Sequence, residues 1–181
     1  ALTLNGMGIG SSGALTNSSS TTGVYAGSIT LGSISAIGGT GGTVSVTGAI
    51  SDSANDYGLV FIGTKDISLS STSNALRTIA AASGIGALTI VNTGDLEIGS
   101  VTTYDGIKAG GAINIRTTGN LTISKSIETA STSKSGSAPA LLLSAGSDGA
   151  AGSVAKNILL AGSPTFTVGA GGAANFYTGG L

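Results

Sequence analysis

Apolar and polar residues alternate along this chain in short units that share the template Gly-x-apolar-x-apolar. Such alternation puts successive side chains on opposite faces of an extended backbone, which predicts strands. The units are Gly27–Leu31, Gly42–Val46, Gly86–Ile90, Gly94–Ile98, Gly111–Ile115 and Gly119–Ile123, and the alternation recurs without glycine at Ile67–Leu69, Ile158–Leu160 and Phe166–Val168. Because Ile, Val and Thr dominate these units, which pleated surfaces favour, an all-β protein is predicted.

The units are regularly spaced. Gly86 and Gly94 are eight residues apart, as are Gly111 and Gly119, and the two pairs are separated by 25 residues. A period of this length is typical of solenoids, whose coils stack on one another. The alternative, an antiparallel sandwich, needs many hairpin turns, but Asn-Gly or Asp-Gly occurs only three times. We therefore predict one parallel β-helix over residues 1–181, with roughly 20–25 residues per coil.

The stretch GAINIRTTGNLTI at residues 111–123 is predicted to form two successive strands of one coil. The glycine that leads each unit is expected to supply the positive φ of a sharp corner. The side chains expected to point inward are Ile113, Ile115, Leu121 and Ile123, and those expected to point outward are Asn114, Arg116, Asn120 and Thr122. Three Ser/Thr-rich segments, residues 16–22, 68–74 and 129–137, are predicted loops. Residues 74–82 are the best candidate for a helix.

The composition narrows the class of protein further. Charged residues make up 8% of the chain and the net charge is −1, so the dense basic face that nucleic acid requires is absent. Without cysteine there is neither a disulfide framework nor a thiolate metal site. Without histidine, Ser-His and Cys-His nucleophiles are excluded. We predict no cofactor, no metal site and no enzymatic activity.

Carboxylates are the remaining candidates for acid–base chemistry. Asp95 and Glu97 are two residues apart in a predicted strand, so both face outward, as the paired carboxylates of polysaccharide-cleaving β-helix enzymes do. A solvated strand face is the simpler interpretation of this pair. Asp52 and Asp56 flank a turn, and a role in that turn is expected.

Two turn phrases carry an aromatic residue beside an aspartate, Asp56-Tyr57-Gly58 and Tyr104-Asp105-Gly106. A tyrosine next to an aspartate could stack on a sugar ring and hydrogen-bond its hydroxyls. Tyr57, Tyr104 and Asp105 are therefore our candidate surface contacts, and ordinary turn packing is the alternative.

Outward Thr residues also suggest a comparison with ice-binding β-solenoids, which present regular Thr-x-Thr rows. The outward middle positions of the units are Thr30, Ser45, Ser68, Thr89, Glu97, Asn114, Thr122 and Thr167. Because Glu97 and Asn114 interrupt the row, ice binding is the weaker alternative.

The phrases at residues 42–50, 111–123 and 169–179 resemble the repeat region of filamentous-haemagglutinin-like exoproteins, and the likeness extends over most of the chain. The resemblance implies a right-handed parallel β-helix that is secreted through an outer-membrane partner and serves as a stalk or adhesin. On this basis we expect a segment of a longer fibrous protein, located outside the bacterial cell or on its surface.

The partner implied by the resemblance is a glycan or protein on a host or neighbouring cell. The ends of a β-helix expose unpaired strand edges, so assembly of the chain into filaments is also expected.

Overall fold

The computed structural model describes residues 1–136, 138–147 and 156–179, and nearly all of the regular structure in them is β-strand. The strands are β1 Leu2–Gly6, β2 Leu15–Asn17, β3 Gly23–Tyr25, β4 Ile29–Gly39, β5 Val44–Val46, β6 Ile50–Ser51, β7 Leu59–Gly63, β8 Ile67–Leu69, β9 Thr78–Ala81, β10 Leu88–Asn92, β11 Leu96–Ile98, β12 Ser100–Val101, β13 Tyr104–Asp105, β14 Ile107–Ala109, β15 Ile113–Thr117, β16 Leu121–Ile123, β17 Ile127–Thr129, β18 Leu141–Ala145, β19 Ile158–Leu160, β20 Phe166–Thr167 and β21 Ala174–Thr178. A single 3₁₀ turn at Ile9–Ser11 is the only helical element of the described residues. None of their helices is long and apolar enough to span a membrane.

From β14 onward, successive strands lie in three different sheets in turn, and the chain returns to each of these sheets once per coil; in the earlier coils it alternates mainly between two sheets. One sheet has seven strands in the order β21-β18-β15-β10-β8-β5-β3, a second has nine strands, and a third contains β14, β17 and β20. Pairing between named strands is parallel except in the hairpin β12–β13. This arrangement is a parallel β-solenoid and confirms the predicted fold class.

The coil length agrees with the predicted period in the middle of the chain. Ile67, Leu88 and Ile113 are register partners in successive coils, which are thus 21 and 25 residues long. The next partners of Ile113 along this sheet are Leu141 and then Ala174, so the last two coils are longer. In the first of these two coils the extra length lies in the Ser/Thr-rich segment that follows β17.

The core is a set of side-chain ladders along the solenoid axis. Ile90, Ile115 and Leu143 occupy the same register position in three successive coils, and all are 0% exposed. Full burial of each such side chain contributes about 1.5–3 kcal/mol relative to exposure. The four residues of 111–123 predicted to point inward are likewise 0% exposed, and the four predicted to point outward are only partly buried.

The predicted role of the leading glycines is wrong for all but one of them. Among the six glycines that open the units, only Gly94 has a positive φ, +83°. At Gly119, which lies one coil further on, an added Cβ would be 2.3 Å from the carbonyl carbon of Gly94. Glycine is therefore needed at Gly119 because the backbones of two coils approach closely at the corner, and not because of its φ.

The helix candidate at residues 74–82 is also wrong. Its second half forms β9, in which Ile79 pairs with Leu59 of one neighbouring coil and with Ile98 of the other. The alanines of this segment favour a helix locally, but the ladders on both sides provide the hydrogen bonds and packing of a strand.

The three Ser/Thr-rich segments form loops between the strands that they adjoin. The first lies between β2 and β3, the second follows β8, and the third follows β17. The strands extend further into them than predicted, since Thr16, Ser68 and Thr129 belong to strands. Ser137 lies outside the described residues.

Candidate functional site

A cleft lies beside the loop that connects β6 to β7. It has a volume of about 420 Å³, and an adjoining cleft of about 310 Å³ shares Arg77 and Asp95 with it. The first is lined by Ser51, Asp52, Ser53, Ala54, Ala75, Leu76, Arg77, Thr93, Gly94 and Asp95, and the second by Asp56, Arg77, Thr78, Asp95, Leu96, Glu97 and Thr122. Coil stacking thus brings together two pairs of acidic residues that are separate in the sequence, Asp52 with Asp56 and Asp95 with Glu97.

Arg77 connects the loop to the coil beneath it. Its Nε is 2.8 Å from Oδ1 of Asp56 and 3.5 Å from Oδ2 of Asp52. The Asp56 side chain is 73% exposed, whereas that of Asp52 is 3% exposed. The pair with Asp56 is therefore screened by solvent and weak, while the pair with Asp52 compensates a nearly buried charge.

Only one of the two carboxylate oxygens of Asp52 accepts a hydrogen bond from the described residues. Its Oδ1 accepts a hydrogen bond from the backbone N–H of Ala54 at 3.0 Å. Its Oδ2 is buried and accepts no hydrogen bond from the described residues. A buried carboxylate oxygen without a donor is costly, so the nearby guanidinium of Arg77 is important for holding this loop in place.

The loop backbone is strained at three positions. Ser53, Ala54 and Asp56 have φ values of 53°, 65° and 57°, in the left-handed region that residues with a Cβ seldom adopt. Each costs about 1–2 kcal/mol. Strain of this kind accumulates where the surrounding structure fixes a particular surface shape, and it is frequent at binding sites.

Asp95 and Glu97, the candidate catalytic pair, both make bonds between coils. Oδ1 of Asp95 accepts a hydrogen bond from the backbone N–H of Asn120 at 2.8 Å. In the same way, Oδ1 of Asn120 accepts a hydrogen bond from the backbone N–H of Asn157, in the following coil, at 3.0 Å. Oε1 of Glu97 accepts the hydroxyl of Ser124. One oxygen of each carboxylate is thus engaged in joining neighbouring coils at their corners.

The candidate surface contacts Tyr57, Tyr104 and Asp105 lie on two neighbouring elements. Tyr57 is in the loop of the cleft, is partly buried, and packs against the main core. Tyr104 and Asp105 belong to the hairpin β12–β13. An added Cβ at Gly58 would be 2.6 Å from Cγ1 of Val101, so the hairpin packs closely against the end of the loop.

The hairpin covers an apolar patch on the outside of the solenoid. Ala36, Val60 and Ala80 form a buried cluster with Val101, and Tyr104 packs against this cluster. The ring of Tyr104 therefore has a structural role, since it helps to shield outward-facing apolar residues from water.

Asp105 is exposed and has two polar partners. Its Oδ1 accepts the hydroxyl of Ser100 at 2.5 Å and is 3.5 Å from Nζ of Lys125. The Ser100 hydrogen bond, and to a smaller extent the charge of Lys125, hold the pKa of Asp105 below its ordinary value of 3.8.

The outward row of the seven-stranded sheet has mixed chemistry. In register order it consists of Val24, Ser45, Ser68, Thr89, Asn114, Leu142 and Asn175. Side chains of neighbouring coils in this row therefore differ in size and polarity, and Leu142 is buried, so the row lacks the repetition of a Thr-x-Thr array.

Neither a family model, nor a curated protein, nor a solved structure matches this chain. Among the described residues there is also no group of three or more His, Cys, Asp or Glu side chains that could hold a metal ion.

Arg77, which lies at the centre of the site, is not among the candidate residues predicted from the sequence. A signal was present, because Asp52 and Arg77 are 25 residues apart, the same distance as the two glycine doublets. Residues separated by one coil length become neighbours on the surface of a solenoid.

Proposed function

We propose that the chain is a non-enzymatic structural and adhesive segment, which forms part of a rigid stalk of a secreted or surface-attached bacterial protein. The observation that carries this proposal is the unbroken core. One continuous cluster of buried Ile, Leu, Val, Phe and Ala side chains, each at most 5% exposed, extends from Leu4 to Ala145, with a few buried polar residues such as Asn92 and Thr117 beside it. A stack held by such ladders resists bending and offers a long surface, which suits a stalk.

The resemblance to filamentous-haemagglutinin-like exoproteins supports the same role. It also supports export of the full-length protein through an outer-membrane partner. Both remain proposals for this chain, which matches no family model.

We assign the adhesive contact to the loop at residues 52–58 and to the two clefts beside it. Most of the loop is exposed and its backbone is strained, and both Asp56 in the loop and Arg77 in the coil beneath it are more than half exposed. The partner would be a glycan or protein on a host or neighbouring cell, recognised by hydrogen bonds and charge at these side chains.

Adherence of cells to the immobilised chain tests this assignment. The variant Asp56→Asn removes an exposed charge and keeps the pair of Arg77 with Asp52, so it should reduce adherence while thermal unfolding shows that the protein remains folded. Glu128→Gln is the matched control, because Glu128 is also about half exposed and pairs with Lys108 at 3.0 Å between Nζ and Oε2. If the wild type, the loop variant and the control variant adhered equally, the loop would not be the adhesive contact.

A polysaccharide-active enzyme is the second candidate function. It is favoured by one observation, the presence of Asp56, Asp95 and Glu97 along a single cleft. Two carboxylates across a cleft are the usual apparatus of glycoside hydrolysis.

A further inference from the structure

The two clefts beside the loop have an excess of negative charge. Asp52 and Asp56 belong to one coil, Asp95 and Glu97 belong to the second coil along, and Arg77 lies in the coil between them. Arg77 is the only basic residue among the described residues that line the clefts, so four carboxylates face one guanidinium and the formal charge is −3. Because the whole chain has a net charge of only −1, negative charge is concentrated at this site.

The ion pairs of Arg77 leave the second acidic pair uncompensated. Arg77 pairs with Asp52 and Asp56, whereas no ion pair joins Asp95 or Glu97 to another described residue. One oxygen of each of these two carboxylates accepts a bond between coils, and the other oxygen accepts none from the described residues. Both residues line the cleft of about 310 Å³ together with Asp56, so a ligand in this cleft meets three carboxylates.

The larger cleft contains a buried acceptor without a donor. Asp52 lines this cleft, its side chain is 3% exposed, and its Oδ2 accepts no hydrogen bond from the described residues. Nε of Arg77 is 3.5 Å from this oxygen and is shared with Asp56, which is closer. Buried polar atoms are nearly always hydrogen-bonded in native proteins. A positively charged ligand group at Asp56 would release Arg77 to donate to Asp52, so the ligand would complete the site.

The lining of the clefts favours a ligand that carries positive charge and donates hydrogen bonds. Ionised carboxylates only accept hydrogen bonds, whereas ammonium and guanidinium groups only donate them. A sugar fits less well, because its ring is commonly held by stacking on an aromatic side chain. None of the described residues that line the two clefts is aromatic. The chemistry therefore matches lysine and arginine side chains better than it matches a glycan.

We propose that the two clefts bind a basic segment of a partner protein, whose lysine or arginine side chains pair with Asp56, Asp95 and Glu97. The inference rests on the proposed adhesive function and deepens it, since it names the chemistry that the same site recognises. The two acidic pairs are two strand spacings apart, about 10 Å. A segment with two basic side chains therefore engages both pairs at once.

Binding of fluorescein-labelled tetralysine to the full chain tests the proposal by fluorescence polarisation, with EDTA present so that no metal ion takes part. Tetralysine should bind, and the same peptide with acetylated side chains should not. Binding should weaken as the salt concentration rises, because the ion pairs are exposed to solvent. A glucosamine tetramer, at a mildly acidic pH that protonates the amines of both probes, is the sugar probe and should bind more weakly than tetralysine.

The double variant Asp95→Asn with Glu97→Gln tests the site itself. Its amide oxygens can still accept the N–H of Asn120 and the hydroxyl of Ser124, so the bonds between coils remain while two charges are removed. Tetralysine binding should weaken by about 10-fold. Asp56→Asn serves in its place if circular dichroism shows that the double variant does not fold.

The matched control is Asp66→Asn with Glu128→Gln, which removes the same amount of charge away from the clefts. Asp66 is exposed, and its Oδ1 accepts the backbone N–H of Ala87 at 2.8 Å, as Asp95 does for the coil that follows it. The control should change tetralysine binding by less than about 2-fold.

The inference is overturned if the wild type does not bind tetralysine, or if the folded cleft variant and the control bind it equally. It is also overturned if the glucosamine tetramer binds more tightly than tetralysine, which would assign the site to an amino sugar.

Competition separates this inference from the adhesive function. Tetralysine should reduce the adherence of cells to the immobilised chain, and the acetylated peptide should not. If Asp56→Asn reduces adherence but tetralysine neither binds nor competes, the adhesive contact stands and its basic ligand is wrong. If tetralysine binds at the clefts but cells do not adhere to the wild type, the site for basic side chains stands and the adhesive function is wrong.

Discussion

Asn92 and Thr117 are register partners in successive coils, both are 0% exposed, and Nδ2 of Asn92 lies 3.3 Å from Oγ1 of Thr117. Oδ1 of the same asparagine accepts the backbone N–H of Leu76 at 2.8 Å. Asn74 has a similar role one coil earlier, where its Oδ1 accepts the backbone N–H of Ile50 at 2.9 Å. Buried asparagines thus supply acceptors at corners where the strand ladder is interrupted.

Asn92→Ala should destabilise the solenoid by about 2–3 kcal/mol, because it leaves the buried N–H of Leu76 without an acceptor. Urea unfolding followed by circular dichroism measures this change. Asn114→Ala is the control, since Asn114 is a partly exposed asparagine on the outside of the same sheet, and it should cost less than about 0.5 kcal/mol. Equal losses for the two variants would contradict the role given to Asn92.

Replacing the corner glycines by alanine should lower the stability of the protein by different amounts. Gly119→Ala forces a Cβ against the backbone of Gly94 and should cost about 3 kcal/mol or more. The Cβ added in Gly94→Ala meets no atom within 4 Å, but the alanine has to adopt a positive φ. A loss of about 1–2 kcal/mol in the free energy of unfolding is therefore expected.

Gly110→Ala is the control for this series. Its added Cβ would make an ordinary contact, 3.4 Å from the backbone oxygen of Ile85, and its φ is not positive. It should be neutral or slightly stabilising, because alanine reduces the entropy of the unfolded chain. If Gly94→Ala proved more harmful than Gly119→Ala, close approach would not be the reason for glycine at residue 119.

Asp105 should titrate below its ordinary value of 3.8 when measured by NMR. Because folding lowers the pKa of this carboxyl, its contribution to stability is present above pH 3.8 and is lost as the pH falls through the folded-state pKa. Ser100→Ala and Lys125→Met should each raise this pKa, since the Ser100 hydrogen bond is the largest single cause of the shift and Lys125 lowers the pKa as well. An unchanged pKa in Ser100→Ala would show that the hydrogen bond is not the main cause.

Asp95→Asn separates the stalk from the polysaccharide-active alternative. The amide oxygen of asparagine can still accept the N–H of Asn120, so the substitution preserves the corner bond and removes the acidic group. We expect no glycan cleavage by either the wild type or the variant. Wild-type turnover that is lost in a folded Asp95→Asn protein would establish an enzyme and refute the non-enzymatic proposal.

The fold could be predicted because its signals are local and repeated. Alternation identifies strands such as β15 and β16, and the 25-residue separation of the glycine doublets gives the coil length. Residues 74–82 could not be predicted in this way. Their alanines favour a helix, and only pairing of Ile79 with Leu59 and Ile98 in other coils selects the strand.

The candidate site was less predictable than the fold. Asp95 and Glu97 were recognised because they are neighbours in sequence, whereas Asp52 and Arg77 meet only when two coils stack. Similarly, the covering of Val60 by Tyr104 depends on a hairpin inserted between β11 and β14, and the alternation pattern contains no sign of it.

The one-to-one stacking of coils is the central claim, since the core and the cleft both depend on it. The chain has no cysteine, so an introduced pair reports on stacking without interference. Thr89 and Asn114 are outward register partners in adjacent coils, at a separation that a disulfide can bridge.

The most direct measurement is the yield of disulfide in the variant Thr89→Cys with Asn114→Cys under mild oxidation, read by mass spectrometry. The control is Thr89→Cys with Asn175→Cys, whose positions are three strands apart in the same row, about 14 Å at the usual strand spacing. We predict a high yield of intramolecular disulfide for the first pair and none for the second. Failure of the first pair to form a disulfide, or equal yields for both pairs, would contradict the stacking.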